Sequence, residues 1–281
     1  MKGRINIVVL GIILTIFLLF FTIPTIWIIL TSIRDPNEIN IIPIIWFPKN
    51  VTNINYIHAI FGYTGAAESR FLYYMFNSFL AASISTALAL SIGTIAGYSF
   101  SRFRFNAKDK LFFILILVRA IPGISLSLPL LIFYNYLGLS DTIVGLALVY
   151  TALNTPFVTW MMSGFFDEIP KEIDEASYID GCNTINAFTK VILPLTSHGL
   201  VATSIFIFLL SWNEFPIAFV LTTTLSSRTA PVGIFEFMSQ FYIDWGGMAA
   251  ASTLLMLPAF IFTYWVQKYI IRGLTFGAIK G

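Results

Sequence analysis

Three observations predict an all-α, polytopic membrane protein with six transmembrane helices. The chain is 57% hydrophobic and only 11% charged, with a mean hydropathy of +0.84, whereas ordinary soluble domains carry about 25% charged residues. Six apolar runs reach the ~20 residues that a ~30 Å hydrocarbon core requires at a helical rise of ~1.5 Å. The few charges fall in short clusters between those runs. No basic stripe suits nucleic acid, so charge is informative here about topology.

The predicted spans are residues 5–33, 74–100, 111–133, 143–165, 199–221 and 248–271 of a single transmembrane domain covering 1–281. The first follows Lys2 and Arg4, and its uncharged run from Ile7 to Leu30 is longer than the ~7–15 residues of a signal peptide core, so it reads as a retained span. With both termini in the cytoplasm, the inner segments collect eleven basic residues and the outer loops four, namely Arg34, Lys49, Arg70 and Arg228. That asymmetry is the positive-inside pattern of a multi-pass protein of the cell (inner or plasma) membrane. Residues 34–73 become an external loop, which holds the triplet Asn50-Val51-Thr52, a glycosylation site only in a glycosylating host. Residues 166–198 become a cytoplasmic loop and 272–281 a cytoplasmic tail. One cysteine, Cys182, allows no internal disulfide, and the separated His58 and His198 read as structural rather than as metal ligands.

The cytoplasmic loop is unusually ordered for a connection. Pro170 suits a helix start, and Asp167 and Glu168 suit its positive end. Ile173, Ala176 and Ile179 recur every three residues as a thin apolar edge, and Lys171 stands one turn from Glu175. Gly181 accepts the left-handed conformation that closes a helix. Asn183 then suits the cap of a second helix, in which Phe188, Val191, Ile192 and Leu195 follow helical spacing. Two readings fit such a hairpin: an amphipathic element on the membrane surface, or a knob for a protein partner. Lipid-surface helices favour Lys and Arg on the polar face, but the first helix shows Glu172, Asp174, Glu175 and Asp180 against Lys171 alone. The sign of charge therefore favours a protein.

Glu175-Ala176-Ser177, then Gly181, then Val191-Ile192-Leu193-Pro194 resembles the EAA loop, E-A-A-x3-G-x9-I-x-L-P, of ABC importer permeases, with Ser177 and Val191 as substitutions. Phe76-Asn77-Ser78, Ala96-Gly97-Tyr98, Arg102-Phe103, Arg119-Ala120-Ile121-Pro122, Asn154-Thr155-Pro156-Phe157, Trp212-Asn213-Glu214-Phe215 and the tail from Arg272 to Gly281 also look like the carbohydrate, maltose-type class, in its smaller six-span subunit. This resemblance implies a type I permease fold with a coupling helix between spans four and five. It also implies a second homologous permease, two cytoplasmic ATPase subunits that bind ATP and Mg, an extracytoplasmic sugar-binding protein, and a sugar as cargo. Glu172, Glu175, Ala176, Ser177, Asp180, Gly181, Val191, Leu193 and Pro194 would then form the ATPase-coupling element. The chain has no phosphate-cradling G-x-x-x-x-G-K-[ST] loop, so it is expected to be no enzyme and to hold no cofactor or metal.

Polar residues within predicted spans mark the candidate pathway. Arg119 lies inside the third span, where an unpartnered charge costs about 2.5–3.5 kcal/mol. It is either a structural partner or a sugar contact, and Pro122 frees a carbonyl beside it. In the fifth span Pro216 frees the carbonyl of Trp212, so Trp212, Asn213 and Glu214 combine an aromatic face, an amide and a carboxylate, the groups that neutral sugars use. Lining a path or gate and merely locking an interface both fit Glu214. Asn154 and Thr155 are weaker members of the same set. Gly93-Thr94-Ile95-Ala96-Gly97 allows close approach of a neighbouring helix. A secondary transporter would leave the acidic hairpin without a purpose, and neither metalloprotease motif nor selectivity filter is visible. Within the resembled class, a permease for a non-sugar solute such as glycerol phosphate is the alternative.

Overall fold

The computed structural model describes residues 2–62, 70–239 and 242–277, with side chains between 9 and 265 of these. The described residues are almost wholly helical, their extended pairings being the isolated bridges Arg34–Val51 and Met238–Ile243. Among the described residues, four helices are long and apolar enough to cross a membrane, and two sharply bent pairs, Lys108–Val118 with Gly123–Leu137 and Thr184–Leu195 with Ser197–Trp212, bring the number to six if each pair is one span. By packing, the chain divides into two compact units, Met1–Leu72 with Gly233–Leu257, and Tyr73–Val232 with Pro258–Gly281.

The first unit contains α1 (Lys2–Ser32), α2 (Pro36–Ile39), α3 (Ile54–Phe61) and the start of a long last helix that begins at Trp245. Residues 34–62 are more than the loop that their irregular pattern suggests. Glu38 is buried and accepts the Lys49 and Asn50 N–H groups, each at 3.0 Å. Asn55, also buried, donates to the carbonyls of Ser32 at 3.0 Å and Arg34 at 2.7 Å. Gly246 must be glycine here, because a Cβ would lie 2.3 Å from the Asn55 Oδ1 atom.

The second unit is organised around α7 (Ile143–Asp167), whose apolar residues serve two cores. Leu146, Val149 and Tyr150 pack with Ala81, Tyr134, Ile217 and Leu221. Farther along, Val158, Met162 and Phe166 pack with Ala89, Tyr98, Ile192 and Ile207. Helix α4 (Phe71–Arg102) lies against α7 through the GxxxG pair: a Cβ on Gly93 would stand 2.6 Å from Val158 Cβ, and one on Gly97 would be 3.0 Å from Met162 Cβ. The Asn77-Ser78 pair at the start of α4 is also explained. Asn77 donates to the carbonyls of Leu225 and Arg228, both at 2.9 Å, and Ser78 Oγ accepts the Ala230 N–H at 2.8 Å.

Two expected spans are broken. The third consists of α5 (Lys108–Val118) and α6 (Gly123–Leu137), bent by 89° across Arg119–Pro122. Proline lacks the N–H and pushes its predecessor out of the helical region. Instead of one helix over 199–221, the fifth has α11 (Ser197–Trp212) and, after a gap, α12 (Pro216–Leu221). The chain between α6 and α7 is pinned to the end of α12 by Asp141, whose φ is 58°. Its carboxylate accepts the N–H groups of Thr223 at 2.7 Å and Thr224 at 3.0 Å, together with the Ser227 hydroxyl. Partial burial acts to raise its pKa, but these donors outweigh it and hold the carboxyl well below the usual range. The last helix, α14 (Trp245–Gly277), follows the short α13 (Ala230–Gly233) and carries the backbone past the predicted start of the tail; Ala278–Gly281 lie outside the described residues.

If the α4–α7 contact sets stability, Gly93→Leu should cost about 1–3 kcal/mol through overpacking and lower the melting temperature of the purified protein. Gly164→Ala, inside α7 where an added Cβ meets nothing within 4 Å, should not lower it and should stabilise by up to about 1 kcal/mol through the better helix propensity of alanine.

Candidate functional site

The loop after α7 folds as the helix–turn–helix that its caps predict. Pro170, in extended conformation, precedes α8 (Lys171–Ile179). Gly181 has φ 88°; its N–H reaches the Tyr178 carbonyl and the Cys182 N–H reaches the Ser177 carbonyl, both at 3.0 Å. These two bonds are the paired closure of a left-handed helix cap. Asn183 Oδ1 accepts the Asn186 N–H at 2.8 Å and caps α9 (Thr184–Ala187). The second helix departs from expectation, since Phe188–Ile192 form a π turn that leads into α10 (Leu193–Leu195), and the chain bends by 78° before α11. A π turn shifts the helical register of the residues beyond it. Phe188, Val191 and Ile192 consequently pack in the second core, while Leu195 is exposed.

The buried face of α8 also differs from the expected apolar edge. Ile173 is half-buried, but Ala176 is exposed and Ile179 is 87% exposed, whereas Asp174 and Ser177 are buried. An ion pair causes this rotation. Arg102 Nε at the end of α4 lies 2.8 Å from Asp174 Oδ2, with side-chain exposures of 6% and 8%. Tyr98 donates to Asp174 Oδ1 at 2.8 Å, Arg102 Nη2 donates to the Ile169 carbonyl at 2.9 Å, and Ser101 donates to Asp167 Oδ1 at 2.5 Å. Tyr98, Ser101 and Arg102 stand at i, i+3 and i+4, a spacing that puts all three on one face and could have flagged them from sequence.

With Asp174 turned inward, the exposed surface comprises Glu172, Glu175, Ala176, Tyr178, Ile179, Asp180 and Gly181, extended by Ile185, which is 71% exposed. Ser177 is removed from that surface, and its hydroxyl donates to the Asp174 carbonyl at 2.6 Å. Val191 and Leu193 are half-buried and Pro194 is exposed. The result is a rigid, mixed acidic and apolar knob.

A cavity of about 400 Å³ opens at the break between α5 and α6, lined by Arg119, Pro122, Tyr150, Asn154, Ser211, Glu214 and neighbouring apolar residues. Arg119 donates to the Leu153 carbonyl at 3.0 Å and to Asn154 Oδ1 at 3.1 Å, with its guanidinium 5.8 Å from the Phe157 ring. Asn154 in turn donates to Ser211 Oγ at 2.9 Å. Glu214 accepts the Tyr150 hydroxyl at 2.8 Å, the Ile217 N–H at 2.8 Å and the Ala218 N–H at 3.0 Å. Three predicted residues, Arg119, Asn154 and Glu214, are thus brought together, while three are not. Trp212 is buried and stacked on Phe208 at 5.8 Å, Asn213 donates to its own helix at Leu209, and Thr155 donates back to Thr151. Sequence reasoning misses Tyr150 and Ser211, although Tyr150 lies one turn from Asn154 and Ser211 three residues before Glu214.

The model of the binding-protein-dependent transport system inner membrane component family matches residues 89–276. The chain belongs to this family. It is 33% identical over 279 residues to the trehalose/maltose transport system permease protein of Thermococcus litoralis, covering 99% of this chain and 97% of the relative. It is 34% identical over 261 residues to the trehalose transport system permease protein of Mycobacterium tuberculosis, covering 92% of each. The sulfoquinovosyl glycerol transport system permease protein of Agrobacterium fabrum is 33% identical over 258 residues, covering 92% of this chain and 88% of that one. In fold, the permease is similar to a chain of a crystal structure of a bacterial ABC transporter involved in import of the acidic polysaccharide alginate. There the TM-score is 0.79 at 20% identity, covering 95% of this chain and 97% of the other. The family match encloses both the hairpin and the cavity of this multi-pass inner membrane permease.

Removing either member of a buried ion pair strands the other charge, at a cost of ~3–5 kcal/mol. Arg102→Ala and Asp174→Ala should each destabilise the permease by that order, and the double variant should recover part of the loss in a thermal double-mutant cycle; strict additivity would contradict the pairing. At the cavity, Glu214→Gln should lose ~1.5–3 kcal/mol of charge-assisted bonding and reduce uptake in vesicles, whereas Asn213→Ala, turned onto its own helix, should leave uptake unchanged.

Proposed function

We propose that this chain is a permease subunit of an ABC importer that moves a sugar across the cell membrane by alternating access, and that the α8–α9 hairpin seats in a cleft of a partner ATPase. The observation that carries the reading is the exposed knob itself. A short helix is closed by a glycine in the left-handed region, tethered from behind by Arg102, and turns Glu172, Glu175, Ile179 and Asp180 outward in the E-A-S, G, V-I-L-P pattern. The relatives' sugar names support the cargo class.

In this mechanism ATP and Mg bind to two cytoplasmic ATPase subunits, and this chain supplies no hydrolytic step. A second homologous permease completes the pathway, and an extracytoplasmic binding protein delivers the sugar. Both termini lie in the cytoplasm, as the eleven-to-four distribution of basic residues favours. ATPase closure moves α8 as a rigid body. Because α8 is fixed to the ends of α4 and α7, its displacement repacks the helices around the cavity. Arg119, Asn154, Tyr150 and Glu214 then form part of the path or its gate.

Coupled transport in reconstituted vesicles tests this. Gly181→Val places a β-branched residue at φ 88° with open space around its Cβ, so its effect is backbone strain of about 1–2 kcal/mol, and Glu175→Lys reverses charge on the knob. Both should cut uptake by roughly tenfold while ATP hydrolysis continues out of step with transport; normal uptake in both would overturn the assignment. A short thiol crosslinker at Cys182 should capture an ATPase subunit.

A further inference from the structure

The segment from Ile42 to Phe47 is anomalous. It belongs to the ordered stretch after α1, yet Ile42 is 91% exposed, Ile44 63%, Trp46 66% and Phe47 75%. Helix α1 supplies the depth gauge that explains it. Its Val9–Ser32 portion is an apolar span with no residue of its best window buried inside the chain, so it turns apolar flanks outward along its length. Trp46 meets Trp27 edge-on, with centroids 5.6 Å apart, and Arg34 covers the Trp27 ring at 4.9 Å. Since α1 ends at Ser32, Trp27 lies roughly 7–8 Å below that end at ~1.5 Å per residue, and Ile23 roughly 13–14 Å below it.

Between these elements runs a groove of about 240 Å³, lined by Ile23, Ile26, Trp27, Leu30, Trp46 and Phe47. Every lining side chain is apolar apart from the indole N–H groups, so the groove has little with which to select a polar ligand. Irregular backbone tolerates an apolar membrane boundary only when its polar groups are satisfied internally, and this segment meets much of that condition. Pro43 and Pro48 have no N–H, the Trp46 carbonyl accepts Arg34 Nη2 at 3.1 Å, and the Lys49 and Asn50 N–H groups end on the buried Glu38 carboxylate. Tryptophan near the end of a span with a lysine beside it is the composition of a membrane–water boundary, and Lys49 is exposed.

We propose that this groove binds an acyl chain of a phospholipid from the leaflet in which α1 ends, with Lys49 beside the phosphate and Trp46 and Phe47 inserted among the tails. The proposal rests on α1 spanning the membrane and not on the transport reading, so each can fail without the other. A lipid held there would brace the Arg34–Glu38–Asn55 network against the end of α1.

The intact membrane assembly, reconstituted in phosphatidylcholine vesicles, provides the test. A photoreactive benzophenone amino acid in place of Phe47 should form a phosphatidylcholine adduct on illumination, as the same group should in place of Phe20 on the exposed flank of α1. A crosslink from position 47 to another polypeptide, or no lipid adduct there while position 20 is labelled, would overturn the proposal. Independently, lipids brominated on the acyl chain should quench part of the tryptophan fluorescence, and Trp46→Phe should remove a measurable share of that quenching; an unchanged quenched fraction would count equally against it.

Discussion

Taking a guanidinium and a carboxylate out of water costs several kcal/mol for each ion, and only close geometry with further hydrogen bonds offsets it. Arg102 and Asp174 meet that demand at 2.8 Å, with Tyr98 and the Ile169 carbonyl satisfying the adjoining atoms. The pair joins the end of α4 to the first turn of α8, and Ser101 and Asp167 add a second fastening to the end of α7. The hairpin is consequently no flexible link between two spans. It is the capped end of a helical pair, and the same pair decides which side of α8 faces outward.

From there the packing is continuous. Gly93 and Gly97 let α4 lie against α7 closely enough that a single added carbon would collide, so the two helices cannot slide independently at that point. Helix α7 carries Phe166 and Met162 in the core beside the hairpin and Tyr150 and Asn154 at the cavity, roughly 20 Å apart along its axis. One packed element therefore touches both sites.

Much of this is legible in the residues alone. Pro170, Gly181 and Asn183 dictate their own local geometry, and the structure gives them the turn, closure and cap that their chemistry demands. Arg119, Asn154 and Glu214 stand out because polar groups inside apolar runs need partners, and they converge on one cavity. What stays hidden depends on direction in space. Periodicity assigns Ile179 to a packed edge, but a nine-residue helix with one buried ion pair follows the ion pair. Trp212 and Asn213 precede Glu214 in sequence yet point elsewhere, because α11 ends at Trp212: that ring stacks on Phe208, Asn213 donates back to Leu209, and Glu214 lies in the gap, where it turns to the N–H groups that open α12. The network of Arg34, Glu38 and Asn55 has no periodic signature, being held by side chains bonding to backbone across irregular loops.

The two broken spans have a common logic. A membrane helix can be interrupted only where the freed backbone groups are buried in protein or face a polar cavity, and both interruptions here adjoin the same one. At the break after α5, Arg119 is held by the Leu153 carbonyl and Asn154; at the break after α11, both carboxylate oxygens of Glu214 are engaged, by Tyr150 and by the first free N–H groups of α12. Opposite charges thus line one cavity, each held by neutral groups. Glu214 is accordingly a clasp on the broken span, held by those three bonds. A change in the tilt of α12 relative to α7 must stretch the Tyr150 bond or the backbone bonds, so the carboxylate is placed to register motion of the helices around the cavity.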